Sequence, residues 1–131
     1  MRVVLLVVAV LALVGFVFVA YVIPQRAQSE VKEAARSLVA GADAAKQQVA
    51  AVAEKEGKLA GAGAGVKASN KADAKHGEFK WLVEGDGVIR GWNEKNGIEA
   101  SMAPTLQAGK VSWKCRGFPT SAMPASCGGA S

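Results

Sequence analysis

The chain holds one histidine, His76, and two cysteines, Cys115 and Cys127, in 131 residues. That scarcity excludes much chemistry. A structural zinc site takes about four thiolate or imidazole ligands, and no such cluster is present. The cysteines stand too far apart for a redox Cys-x-x-Cys. With a single histidine, no nucleophile–base arrangement is visible. Gly61–Gly65 is glycine-rich but lacks the Lys-Ser/Thr that follows in a phosphate-binding loop. The expectation is therefore no catalytic residue, no metal, no cofactor and no enzyme. His76, among glycine and lysine, reads as a mobile surface residue. Asp86 reads as a turn residue.

Charge is also missing, and in one place. From Val3 to Ile23 no residue is charged, and Pro24 follows. At about 1.5 Å per helical residue the run reaches about 31 Å, against a bilayer core of about 30 Å. A signal peptide has a shorter apolar region, about 7–15 residues, and a small-residue cleavage site. Pro24-Gln25-Arg26 is a poor one. The segment 1–24 thus reads as an uncleaved transmembrane helix, with Tyr21 at an interface. Val3, Leu6, Val10, Leu13, Gly15, Val17 and Pro24 are its candidate packing residues. Arg2 on one side and Arg26 and Lys32 on the other orient it poorly.

What remains is one small domain, rich in alanine, glycine and lysine. Such a thin core benefits from a staple. A Cys115–Cys127 disulfide is the best use of the two thiols, and it requires an oxidising compartment. That orients the segment with its N-terminus inside and places the C-terminal part outside the cytoplasm.

Segment 25–58 reads as an amphipathic helical stalk. Val31, Ala35, Leu38, Ala42, Ala45, Val49 and Val52 recur at three- and four-residue spacing, and Gly57 is a stop signal. Pro24 is expected to break the junction with the membrane helix. Segment 59–78 reads as a flexible Gly/Lys-rich loop. Segment 79–131 reads as an antiparallel sheet with a C-terminal disulfide loop. Its four strands are Phe79–Val83, Val88–Trp92, Ile98–Ala103 and Lys110–Cys115, with turns at Gly85–Gly87 and Asn93–Gly97 and with Pro104 ending the third strand. The fold class is α+β, the alanine stripe covering the sheet.

The net charge is +5. A basic surface is possible at Lys67, Lys71, Lys75, Lys114 and Arg116, with Trp81, Trp92 and Trp113 as stacking faces for nucleic acid. No groove-reading motif accompanies them. Scattered lysines usually form a solvated face, and tryptophans on alternating strands usually enter a core.

Several motifs together resemble a type IV pilin. Trp113-Lys114-Cys115, then a loop, then Met123-Pro124-Ala125-Ser126-Cys127 is similar to the disulfide-bounded loop that closes many bacterial pilins. Gly15 and Ile23-Pro24 are similar to the family's apolar helix. Ser29 to Leu38 resembles its post-proline helix, and Gly87-Val88-Ile89 its first hairpin. The chain departs from the pattern in two ways. No leader is read before the apolar run. An acid is expected five residues into the mature chain, and Val7, counted back from Pro24, and Leu5, counted from the start, are both apolar. The resemblance implies a pilus subunit that is anchored in the inner membrane before assembly. Its partners would be sister subunits and the pilus assembly machinery, with DNA or host surfaces meeting its loops during adhesion, motility or DNA uptake. Two alternatives stay open: an unprocessed pilin-like inner-membrane protein that modulates assembly, and a membrane-anchored DNA-binding module.

Overall fold

The computed structural model describes residues 1–129, and for 22–27 the backbone only. The chain divides into two compact units, Met1–Glu30 and Val31–Ser131. The first contains helix α1, Arg2–Val17, and a π-helical turn, Phe18–Val22. Helix α2, Ile23–Ala40, begins directly after that turn. The break expected at Pro24 thus takes the form of a π turn immediately upstream, a known accommodation where a proline withdraws a backbone donor. The side chain of Pro24 lies outside the described residues, as do the last two residues of segment 79–131.

The second unit is α+β. The single helix expected over 25–58 is in fact two, α2 and α3, with α3 spanning Asp43–Glu56 and ending at Gly57 with φ 71°. The cause is Gly41. A Cβ there would overlap the indole of Trp81. Trp81 also donates its Nε1–H to the carbonyl of Leu38 at 2.9 Å. An uninterrupted helix would give that carbonyl to the N–H of Ala42. Instead the Ala42 N–H turns to Val39 O at 3.2 Å. The sheet's tryptophan takes over a helix hydrogen bond, and the helix breaks there.

The sheet has five antiparallel strands rather than four, in the order β1-β2-β3-β4-β5. They are β1 Lys71–Asp73, β2 Gly77–Val83, β3 Ile89–Asn93, β4 Ile98–Gln107 and β5 Lys110–Phe118. The extra strand comes from the segment read as a flexible loop. It is short and polar and carries no apolar alternation, so nothing in its pattern announces a strand. The rest of that segment is anchored too. Ala62 is buried, and the Gly63 N–H donates to Gly85 O at 3.1 Å. Pro104 does not end its strand. β3 stops opposite Met102, so β4 beyond that point has β5 as its paired neighbour, and such an edge tolerates a missing donor.

The core lies between the helices and one face of the sheet. Ala34, Ala35, Leu38, Ala42 and Ala45 meet Phe79, Trp81, Ile89, Ile98, Ala100 and Met102. A satellite cluster joins Val49, Ala53 and Ala62 to Val83 and Trp113. The predicted stripe holds except at its end, where Ala53 is buried and Val52 is exposed. Small alanines let helix and sheet approach closely, and Gly91 extends this. A Cβ at Gly91 would come within 2.9 Å of Trp81, so the indole sits in a slot between two glycines.

Candidate functional site

Three sets of residues bear on function. The first is α1. It is part of a helix, Arg2–Tyr21, that is long and apolar enough to cross a membrane. Among the described residues, none of α1 is buried. Val3, Leu6, Val10, Leu13 and Val17 all face outward. A Cβ at Gly15 would meet nothing within 4 Å. Val10, Leu13, Val14 and Val17 line a shallow apolar groove of about 350 Å³ along another side of the helix. Soluble monomers seldom expose a continuous apolar surface of this length, because each side chain left in water forfeits roughly 1.5–3 kcal/mol.

The second is the C-terminal loop. Cys115 and Cys127 form a disulfide, with Cα atoms 4.3 Å apart. The loop carries core residues of its own. Ala122, Met123 and Cys127 are buried in the main cluster. Gly117 is needed for this, since a Cβ there would overlap the Met123 sulfur. The bridge therefore pins a packed segment.

The third is the basic surface, which does not form one strip. Lys67 and Lys71 line a cleft of about 420 Å³ with Gln48, Ser69 and Asn70, on the helix side of the sheet. Lys114 and Arg116 alternate with Trp113 and Cys115 along β5 and project from the other face. Lys75 donates to Glu33 on α2 at 2.9 Å. That hydrogen bond, with the Lys75 charge behind it, holds the Glu33 carboxyl below the usual carboxylate range. The backbone N–H groups of His76 and Lys75 do the same for Asp73.

Two residues depart from their sequence reading. His76 is not a mobile surface residue. It is 4% exposed, its Nε2 lies 3.8 Å from Glu33 Oε1, and its ring meets Phe79 edge-on. Asn93, expected in a turn, is wholly buried at the end of β3. Its amide donates to the carbonyls of His76 and Glu78, and its oxygen accepts from the Asn96 N–H and side chain. It thereby ties the β1–β2 turn to the β3–β4 turn.

The tryptophans also separate. Trp81 is core, and Trp113 is half-buried with the Lys46 ammonium 5.5 Å from its ring. Trp92 lies on the outer face of the sheet. There a groove of about 640 Å³ is lined by Leu82, Arg90, Trp92, Glu99 and Phe118 among others. Sequence reasoning missed this groove. Its signal was the opposite parity of the same strands: Arg90 and Trp92 flank Gly91, and Arg116 and Phe118 flank Gly117. No family model, no curated protein and no solved structure matches the chain.

Proposed function

We propose that this chain is a structural subunit of the type IV pilin kind, anchored by its apolar helix in the inner membrane with the sheet domain on the periplasmic side. The carrying observation is one combination. A fully outward-facing apolar helix leads into an α+β domain whose last segment is closed by a disulfide. Such a helix needs lipid or sister helices around it. The disulfide favours an oxidising compartment. The residue resemblance to type IV pilins supplies the assembly role. In a filament, α1 would pack among its copies, with Gly15 giving room for close approach. Val7 supplies no carboxylate, so contacts between subunits rest on apolar packing. Shearing filaments from cells that express the chain tests this. Recovery in the sheared fraction supports the proposal, and confinement to the inner membrane favours an assembly-modulating protein instead.

A second reading as a DNA-binding module gains little support. Its basic residues divide between two faces of the sheet, and Trp81 is not available for stacking.

A further inference from the structure

The outer face of the sheet is built from alternating side chains whose cross-strand rows are known. One row is Lys80–Trp92–Glu99–Phe118, and the next is Leu82–Arg90–Ser101–Arg116. Leu82 is 53% exposed and Phe118 70%. The groove over the first row, about 640 Å³, continues into one of about 330 Å³ lined by Ser101 and Arg116, the two sharing Arg90, Glu99 and Phe118. The groove is open and shallow, and its mixture of aromatic rings with a few polar groups suits a ligand laid along the surface.

We infer that this groove binds a neutral oligosaccharide. A sugar ring offers a C–H face that packs on an aromatic ring, and a rim of hydroxyls that both donate and accept. Trp92 and Phe118 supply the rings. They are separated by one strand, hence about 10 Å apart, so more than one sugar unit is needed to cover both. Glu99 between them accepts hydrogen bonds, and Arg90 and Arg116 donate them in planar forks.

Charge separates this ligand from a polyanion. The bases around the groove are Lys80, Arg90, Lys114 and Arg116, and the acids are Glu78, Glu84, Glu94 and Glu99, with Lys110 at the far end of β5. Lys80 already lies 3.6 Å from Glu94, and Arg90 lies 3.1 Å from Glu84. The balance leaves no net field for phosphates, and a strand stacked on both rings would run across the Glu99 carboxylate. A second copy of the chain is also poorly served. Leu82, Trp92 and Phe118 stand among charged side chains in their cross-strand rows, whereas the core of a stable interface is depleted of charge.

The test uses the full chain in a detergent without a sugar headgroup. Calorimetric titrations are run with β1→4-linked glucose and N-acetylglucosamine oligomers, with their monosaccharides, and with oligothymidylate. Saturable binding of at least one oligomer, stronger than its monosaccharide, is expected. It should weaken about tenfold in Trp92→Ala and in Phe118→Ala and survive in Trp92→Tyr. Both side chains face outward, and near-ultraviolet circular dichroism from buried Trp81 verifies folding. The inference is overturned if no oligomer binds, if the alanine variants bind as the parent does, if oligothymidylate is the ligand of this face, or if sedimentation shows a dimer that Trp92→Ala dissolves.

Discussion

Trp81 shows how one side chain sets the shape of two elements. Its ring fills a slot between Gly41 and Gly91, and its N–H satisfies a carbonyl at the end of α2. Glycine inside a helix ordinarily costs about 0.5–1 kcal/mol relative to alanine, so Gly41→Ala should stabilise if only propensity mattered. Overlap with the indole reverses the sign. Gly41→Ala is expected to lower stability by about 1–3 kcal/mol, read from urea denaturation. Trp81→Phe keeps most of the packing but leaves the Leu38 carbonyl buried without its donor, an expected loss of about 1–3 kcal/mol. A neutral or stabilising result in either variant would contradict this geometry. None of it was legible in the sequence. Gly41 lies within the stretch read as one helix, and Trp81, which packs against it, lies forty positions away along the chain. His76 and Asn93 were misread for the same reason, since polar residues near turns look exposed until a distant element covers them.

At the scale of elements, what repeated locally was legible. The apolar run gave the first helix, a hairpin signal and alternation gave two strands each, and the Ala/Val stripe gave the face that packs on them. Gly57 marked the end of α3 correctly. Strand β1 and the anchoring of 59–78 were not legible, because they depend on edge pairing and backbone hydrogen bonds that need no particular side chains. The β4–β5 hairpin closes with Ala108 and Gly109, both at positive φ, 51° and 75°. Turns of that kind prefer Asn-Gly. Ala108→Asn relieves the strained alanine and should raise stability by about 0.5–1 kcal/mol, seen as a higher thermal midpoint. Helix α2 and the β1–β2 turn are joined by Glu33, whose pKa is depressed by Lys75. A depressed carboxylate contributes stability above its unfolded pKa and loses it as pH falls through the folded one. The contribution should therefore be complete at neutral pH and fade below about pH 4.5, the ordinary value for Glu. Glu33→Gln is expected to show a shallower fall in thermal midpoint between pH 6 and 3 than the parent. An identical profile would show that the exposed pair contributes nothing measurable.

At the scale of the molecule, a thin alanine core, a disulfide and an unpartnered apolar helix belong together. The core is short of large side chains, so closing the C-terminal loop has weight. Replacing both Cys115 and Cys127 with serine should cost about 3 kcal/mol, and reductant should bring the parent to the same denaturation midpoint. The helix Arg2–Tyr21 has no cover of its own and needs an apolar surrounding. The proposed role gives it one twice, first as lipid and then as sister helices. The direct test is peptide mass spectrometry of filaments sheared from cells and freed of membrane vesicles. The account predicts peptides of this chain, including the Cys115–Cys127 bridge, in that fraction and their loss when filament assembly is blocked. Their exclusive recovery from the membrane fraction, with filaments intact and lacking the chain, would contradict it.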